Sequence, residues 1–484
     1  MQMPSAPLAA AAAGARVSRR PNLSLLADRC TTTRALARVH AAMLVSGHLA
    51  ENAFAASRLL AAYAALAPDP AAAALTLLSS VPIATNSFML NTTLRALASS
   101  PDPAAAFPFF ARLRATGTLA APGGHTFSFL LKAAARLPHP LPVAGQLHAL
   151  AVRQGVHLDA YVANGLVRAY SVAGRLSAAR RVFDEVPERN ANLHTTVVSA
   201  YAQNGRHEGA MAAFDEMVSE GFEPTGAALS SVLFACARSV SGGLQMGRRV
   251  HDLMVARGVA KEIILGTALV DMYAKNGAIQ EAVAVFDGMP ERRAPATWNA
   301  LISGLAHHGH GKRALEVFER MQQEGVLPNA ITLVGALSAC CHAGLLEEAR
   351  RLFRSMKDFG IAPGIQHYGC MVNLLGGAGL LSEAEEMIRG MKCKADTMIW
   401  GALLTACKNH GDVEIGERVV VEMLKLDPSN HGVYVVLSNL YAEAGRWQDV
   451  DKLRKVMKGE RLSKIPGAST VGGPPEQLEI ATTR

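Results

Sequence analysis

The sequence has few aromatic residues and few charges, and it has no long uninterrupted hydrophobic run. Of its 484 residues, 5% are aromatic, 18% are charged and 50% are hydrophobic. Such an apolar composition argues against a disordered chain, because it offers ample surface for a folded core. The longest uncharged stretch, residues 70–94, is interrupted by serine, proline and asparagine. It therefore indicates packed helices rather than a membrane span.

Several reactive motifs are also missing. The seven cysteines are odd in number and form no Cys-x-x-Cys, which disfavours a secreted disulfide framework and a zinc ribbon. We expect them to be small buried apolar residues in a reducing compartment. The chain has no His-x-Glu, no Gly-rich phosphate loop and no nucleophile elbow. We therefore predict no catalytic residue, no metal site and no cofactor, and we predict that the protein is not an enzyme.

Two clusters of reactive side chains are better explained by their place in the fold than by a metal site or a redox site. His307, His308 and His310 surround a glycine-bearing turn and have no carboxylate or thiol at ligand spacing, so an exposed turn is favoured over a metal site. Cys340 and Cys341 lie in a strongly apolar stretch, so burial is favoured over redox work.

The positive charge is concentrated at the N-terminus. The formal net charge is +8, and residues 1–50 contribute +5 of it, through six arginines and one acid, Asp28. An acid-poor start with arginine and serine resembles an organelle transit peptide, and a low-complexity start is the alternative. The rest of the chain is nearly neutral, so any binding of nucleic acid must come from a local groove rather than from bulk charge.

Internal repeats are the strongest signal. FDEVPERN at 183–190 returns as FDGMPERR at 286–293, and SFLLKAAA at 128 returns as SSVLFACA at 230 and VGALSACC at 334. Each long period of about 103 residues contains three related sub-units of roughly 31–37 residues. Each sub-unit has two stretches with helical spacing of apolar residues, separated by a glycine turn such as Gly205 or Gly277. Stacking such pairs buries a continuous core, so we predict an all-α fold, an α-solenoid of tandem helix–turn–helix repeats.

The repeat at 295–329, PATWNALISG followed by ALEVFERM and GVLPN, resembles a pentatricopeptide repeat. The alternation of lengths is similar to the plant subclass built of P-, L- and S-type motifs, and tetratricopeptide repeats are the near alternative. The resemblance implies a right-handed superhelix. We predict a transit peptide and degenerate first repeat at 1–50, the repeat array at 51–396, an extension at 397–469 that resembles the E-type extension of editing factors, and a disordered tail at 470–484.

Full-length relatives of this subclass end in a zinc deaminase domain of the DYW type. Its chemistry needs a His-x-Glu and a Pro-Cys-x-x-Cys, neither of which occurs in these 484 residues. The resemblance therefore implies that a deaminase-bearing partner of the same family acts in trans, together with organellar editing factors.

The resemblance also implies which residues bind RNA. In this family the fifth and the last residue of each P- or S-type repeat face one base of a single strand. The pairs are Asn91/Gly123, Asn164/Asn190, Thr195/Thr225, Thr267/Ala294, Asn299/Asn329 and Gly369/Asp396. The alternative is that these asparagines and threonines only cap helix starts.

From this resemblance we expect an organellar, sequence-specific single-stranded RNA-binding protein that selects a site for C-to-U editing and has no membrane partner. We favour the mitochondrion over the chloroplast. Two alternatives stay open: a factor for the stability, splicing or translation of one transcript, and a tetratricopeptide-like scaffold that binds proteins.

Overall fold

A computed structural model describes residues 23–80, 86–117, 122–259, 262–289, 294–430 and 432–459. Residues 1–22 of the predicted transit peptide and degenerate first repeat at 1–50 lie outside these residues, as does the predicted tail at 470–484. Within them, all regular secondary structure is helical, including a 3-10 helix at Pro103–Ala105. The α-helices are α1 Leu23–Asp28, α2 Thr33–Val45, α3 His48–Glu51, α4 Ala53–Leu66, α5 Pro70–Ser80, α6 Ser87–Ser99, α7 Ala106–Ala115, α8 Gly124–Ala134, α9 Pro140–Arg153, α10 Ala160–Val172, α11 Leu176–Glu185, α12 Ala191–Gln203, α13 His207–Ser219, α14 Gly226–Cys236, α15 Gly243–Ala256, α16 Ile263–Lys275, α17 Ile279–Gly288, α18 Pro295–His307, α19 Gly311–Gln323, α20 Ala330–Ala343, α21 Leu346–Ser355, α22 Ile365–Gly377, α23 Leu381–Arg389, α24 Thr397–His410, α25 Val413–Leu426, α26 Gly432–Glu443 and α27 Trp447–Gly459.

The helices come in pairs that follow the sequence repeats. The first helix of a repeat begins at the repeat's first residue, as α10 does at Ala160 and α18 at Pro295. Glycines in the left-handed conformation end the first helices, with φ of 72° at Gly205 and 77° at Gly277. A residue with a Cβ is strained there, which is why glycine marks these turns in the sequence. The predicted all-α fold of tandem helix–turn–helix repeats is confirmed.

The chain forms two compact units, Met1–Val250 and His251–Arg484. In the first unit, the first helices of successive repeats pack side by side, α6 on α8, α8 on α10, α10 on α12 and α12 on α14. In the second unit, α16, α18, α20, α22 and α24 do the same. Each unit therefore has one layer of first helices, and the second helices of the repeats flank it.

The two helices of a repeat differ in how much of their surface is buried. In α18, Thr297, Trp298, Leu301 and Leu305 are buried, because neighbours cover this helix on more than one side. The ring of Trp298 packs edge-on against Phe286, with centroids 4.7 Å apart. By contrast, α19 buries a single stripe that includes Ala314, Phe318 and Met321. The first helices thus form the centre of the stack.

The first helices approach each other closely where one of them carries glycine. A Cβ built on Gly304 of α18 would lie 2.3 Å from the Cβ of Ala274 in α16. Real Cβ atoms do not come so near to each other, so this spacing of α16 and α18 requires glycine at position 304.

The cysteines are free thiols, and three of them, Cys236, Cys340 and Cys407, are buried. Burial raises the pKa of each of these three thiols to about 12. The expectation that the cysteines are buried is wrong for Cys341, and also for Cys30, Cys370 and Cys393, since all four are only half-buried. Adjacent residues of a helix point about 100° apart, so the two side chains of a vicinal pair cannot both face the same core.

The last helices continue the stack of the second unit. One hydrophobic cluster runs from Val372 and Leu375 in α22 through Leu403 in α24 to Val419 in α25 and Leu440 in α26. A nearly buried carboxylate joins the same region. Glu385 of α23 accepts from the guanidinium groups of Arg389 at 2.8 Å and Arg418, in α25, at 2.7 Å. None of the described helices combines the length and apolarity needed to cross a bilayer.

A histidine–tyrosine hydrogen bond recurs along the first half of the chain and into the second unit. The Nδ1 atoms of His40, His148 and His251 lie 3.2, 3.0 and 2.9 Å from the hydroxyls of Tyr63, Tyr170 and Tyr273. Burial lowers the pKa of all three histidines. The folded protein therefore favours the neutral rings.

This lowering predicts a loss of stability in mild acid. Between the lowered pKa values and about 6.5, the unfolded chain binds more protons than the folded one, so the free energy of unfolding falls as pH falls below 6.5. In the double variant His148→Gln/His251→Gln we expect a smaller loss of thermal stability between pH 7.5 and 5 than in the wild type, measured by thermal melting. His307→Gln, which removes an exposed imidazole, is the control. Equal pH dependence in wild type and the double variant would contradict this account.

Candidate nucleic-acid interface

The predicted last residues of the repeats lie at the starts of the next first helices. Asn190, Thr225, Asn329 and Asp396 are the N-caps of α12, α14, α20 and α24. Each side chain accepts a hydrogen bond from the backbone N–H three residues further on. The capping role weighed in the sequence analysis is therefore present at all four positions.

Asn299 and Asn329 form the most elaborate pair. The Nδ2 of Asn299 donates to the Oδ1 of Asn329 at 3.2 Å, and the hydroxyl of Thr332 donates to the Oδ1 of Asn299 at 2.6 Å. Thr332 and Asn329 also form a capping box, with two backbone-to-side-chain bonds of 3.0 Å. The three side chains are thus locked in one arrangement.

This arrangement determines which hydrogen-bonding atoms of Asn329 remain free for a ligand. Its Oδ1 accepts from the backbone N–H of Thr332 and from Asn299, so the amide orientation is set by its donors. The Nδ2 of Asn329 has no hydrogen-bond partner among the described residues, and the residue is only half-buried. An amide nitrogen carries two N–H groups. The pair therefore presents hydrogen-bond donors.

Thr195 and Thr225 form a pair of opposite character. Their hydroxyl oxygens lie 2.9 Å apart, Thr195 donates to the carbonyl of Ala191 at 2.7 Å, and Thr225 accepts from the N–H of Ala228. Each hydroxyl has one proton. Thr195 uses its proton on Ala191, so Thr225 donates to Thr195. The remaining capacity of this pair is its acceptor lone pairs.

Sequence reasoning missed a third participant, the third residue of the next first helix. Thr126 donates to Asn91 at 2.8 Å, Thr297 lies 2.7 Å from the hydroxyl of Thr267, and Thr332 contacts Asn299. All three threonines are at most 1% exposed. The signal was the recurrence of threonine in third place, in GHT, PAT and AIT.

The other predicted pairs form no side-chain hydrogen bond with each other in the described structure. Asn164 makes no hydrogen bond with Asn190 in the described structure, and its Oδ1 is buried without a partner. The third residue of α12 is Leu193, which has no hydroxyl to donate to this Oδ1 in the way that Thr332 donates to Asn299. Ala294 has no polar side chain, and the hydroxyl of Thr267 lies 2.7 Å from that of Thr297 instead. Gly123 and Gly369 have no side chain, so neither can form a side-chain hydrogen bond with the other member of its pair.

The histidine cluster lies where the sequence placed it. His307, His308 and His310 are exposed on the turn between α18 and α19, and the ring of His308 lies 3.2 Å from the carbonyl of Lys275. In the parts of the chain that the structure describes, no three histidine, cysteine or acidic side chains are grouped so that they could hold a metal ion.

Comparison with known proteins decides the family. Pentatricopeptide repeat-containing protein At4g21065 of Arabidopsis thaliana is 43% identical over 406 residues, covering 84% of this chain and 67% of the relative. Pentatricopeptide repeat-containing protein At5g56310, from the same plant, is 36% identical over 80% of this chain and 79% of its own length. The chain belongs to the pentatricopeptide repeat family.

The family models match individual segments of this pentatricopeptide repeat protein. The PPR repeat matches residues 161–190, 193–222, 267–293, 335–361 and 367–394, and the PPR repeat family matches 293–342. The E motif matches residues 410–472. The similarity to the E-type subclass is thus shown at the C-terminal helices.

Solved structures agree on the fold. The pentatricopeptide repeat protein PPR10 from maize aligns with a TM-score of 0.51 at 18% identity, covering 91% of this chain and 73% of the maize chain. The same maize protein has been solved in complex with an 18-nt psaJ RNA element, and that structure aligns with a TM-score of 0.48. The repeat solenoid is therefore the shared architecture.

Proposed function

We propose that this protein binds one single-stranded organellar RNA by its sequence and selects a cytidine in that RNA for editing to uridine. The observation that carries the proposal is the placement of fifth and last residues of one repeat next to each other at the start of a first helix. Asn299/Asn329 and Thr195/Thr225 do this in the two units. Helical repeats that read RNA present two or three side chains to each base.

The chemistry of the two pairs suits base discrimination. The free N–H groups of Asn329 match the carbonyl oxygens of a pyrimidine, which is also the preference that the family resemblance implies. The acceptor lone pairs of Thr195 and Thr225 match a base with an exocyclic amino group, such as adenine. The unpartnered Oδ1 of Asn164 supports a ligand as well, because a buried acceptor without a donor is costly.

The relatives support an organelle. Arabidopsis proteins that are 40% and 39% identical to this chain are named mitochondrial and chloroplastic, respectively. We propose the mitochondrion, with the chloroplast as the alternative. The maize protein with this fold, solved with RNA, supports an RNA partner over a protein-binding scaffold.

The matched E motif supports the editing role. We propose that its helices dock a deaminase-bearing partner, since these 484 residues contain no His-x-Glu and no Cys-x-x-Cys. Apolar side chains are available on this surface: Val421 of α25 is 53% exposed and Trp447 of α27 is 63% exposed. Exposed apolar side chains of this kind are common at protein interfaces.

A loss-of-function plant tests the proposal. We expect one or a few organellar cytidines to lose editing while the abundance and splicing of the same transcripts stay unchanged, measured by sequencing organellar RNA. Wild-type protein should restore editing. Val421→Ala/Trp447→Ala should bind RNA normally but restore editing poorly, because it removes only exposed side chains of the E motif.

The control variant is Val240→Ala, which truncates an even more exposed apolar side chain far from the E motif in sequence. It should restore editing fully. Loss of a transcript or of its splicing with unchanged editing would instead establish a stability or splicing factor. A wild-type protein that binds no RNA would leave the scaffold alternative.

A further inference from the structure

The ninth residue of three consecutive repeats is a cation. These residues are Arg95 in α6, Lys132 in α8 and Arg168 in α10, and all three are exposed. Each lies four residues after the fifth residue of its repeat, and residues four apart share one face of a helix. Arg95 and Arg168 therefore lie one turn along from Asn91 and Asn164. We call these three residues the cation row.

The cation row lies on three helices that pack in succession within the first unit, and two of its members share a groove. Helices α6, α8 and α10 pack side by side, and the Nζ of Lys132 donates to Ser99 of α6 at 2.8 Å. Arg95, Ser99 and Lys132 line one open groove of about 730 Å³. Neighbouring packed helices are about 8–10 Å apart, so the row offers one cation for each repeat.

The three charges of the cation row are not neutralised by ion pairs within the part of the protein that the structure describes. Among the described residues, none of the three contacts a carboxylate, and the acid that lines the groove, Asp69, instead caps α5 at the N–H of Ala72. Some arginines on second helices are instead paired with carboxylates. Arg180 binds Glu216 at 2.7 Å and Arg249 binds Asp215 at 2.9 Å. Unpaired cations beside a groove are available to an anionic ligand.

The row also ends abruptly. From the repeat at 191–225 onwards, the ninth residues are neutral or acidic: Ser199, Phe234, Asp271, Ser303, Ser338 and Asn373. Because the chain after residue 50 is nearly neutral, the row is a local electropositive feature and not part of a general basic surface.

We propose that Arg95, Lys132 and Arg168 bind three successive backbone phosphates of the RNA. This rests on the proposed function. The row anchors the strand at the N-terminal repeats, and the later repeats, which lack such cations, contribute base contacts. Phosphate contacts fix register and orientation but carry no sequence information. Affinity should therefore depend on the row, and base preference should not.

Salt dependence of RNA binding tests this directly. For a single strand, the slope of log affinity against log salt changes by about 0.7 for each phosphate neutralised. In Arg95→Gln/Lys132→Gln/Arg168→Gln we expect the slope to be shallower by about 2, so that wild-type affinity falls about 20-fold more than that of the variant between 50 and 200 mM salt. The probe is a mixed-sequence 20-nucleotide single-stranded RNA pool, with the full-length purified protein.

The matched control is Arg114→Gln/Arg153→Gln/Arg181→Gln. It removes three exposed cations from the second helices of the same three repeats, with the same change of net charge. It should keep the wild-type slope. Each single variant of the row should change the slope by about 0.7, which tests the proposal even where the triple variant folds poorly.

The outcomes separate the two proposals. If the wild-type protein binds RNA but the triple variant has the same salt slope as the wild type, the proposed phosphate contacts are wrong and the proposed function still stands. A control variant that matches the triple variant also overturns them, since bulk charge would then explain the slope. Polyglutamate that displaces RNA as well as unlabelled RNA does would assign the row to an acidic protein segment. A wild-type protein that binds no RNA refutes the proposed function itself.

Discussion

In the double variant Asn299→Thr/Asn329→Thr, we expect the preferred base at one nucleotide to change from a pyrimidine to a purine, above all adenine. The change transfers the Thr195/Thr225 pair to the later repeat. It replaces the free N–H groups of Asn329 with hydroxyl acceptors, while threonine still caps α20 as Thr225 caps α14. Loss of a base-edge contact costs about 1–3 kcal/mol on the scale known for bidentate base readout, or about 5- to 150-fold.

Both residues must change because they act as one network. Asn299 is only 7% exposed and donates to Asn329, so Asn299→Thr alone alters the support of Asn329 more than the face offered to a base. We expect the single variant to shift the preference towards purine more weakly.

The measurement is selection from a random RNA pool followed by dissociation constants for RNAs that differ at one position. The reciprocal variant, Thr195→Asn/Thr225→Asn, is the matched control and should shift a different nucleotide, three positions away, towards pyrimidine. If Asn299→Thr/Asn329→Thr weakens all RNAs equally, the pair packs and caps the helix and does not discriminate bases.

Gly304→Ala is expected to destabilise the second unit, although alanine is normally the better helix former by about 1 kcal/mol. The added Cβ would lie 2.3 Å from that of Ala274, so α16 and α18 must separate. Overpacking of this kind costs typically about 1–3 kcal/mol. Chemical denaturation monitored by circular dichroism measures the loss.

Two further variants isolate the contact. Ala274→Gly/Gly304→Ala exchanges the two residues and should recover most of the lost stability, because it removes the clashing Cβ. Gly369→Ala adds a methyl group to a helix of the same unit where nothing lies within 4 Å, and should be neutral or stabilising. Equal stability of Gly304→Ala and Gly369→Ala would show that α16 and α18 tolerate a wider spacing.

The repeat architecture was predictable because its signals are local. Helical spacing of apolar residues, a glycine at each turn and the return of FDEVPERN about 103 residues later each involve neighbours in sequence. The first helices begin where the repeats begin, and Gly205 and Gly277 have the positive φ that their place in the sequence implied. These features follow from backbone sterics and the helical period alone.

The details of the candidate site were less predictable, because they depend on contacts between repeats. The sequence placed the fifth and last residues, yet of the six pairs only Asn299/Asn329 and Thr195/Thr225 form side-chain hydrogen bonds in the described structure. Thr332 and Thr297 had no assigned role, since a threonine three residues into a helix looks like any other buried residue until the neighbouring helix is in place.

By itself, therefore, the sequence determined that this protein is a stack of helix pairs, where each helix begins, and which side chains stand at the start of each first helix. Only the tertiary structure decided which of those side chains are hydrogen-bonded to each other. It also decided that Cys340 is buried while Cys341 is only half-buried, and that Gly304 must lack a Cβ. The physical reason is the distance along the chain over which each kind of interaction acts. Helix period and turn conformation are properties of residues close in the chain, whereas a hydrogen bond across some 30 residues and a close approach of two helices depend on how the repeats pack.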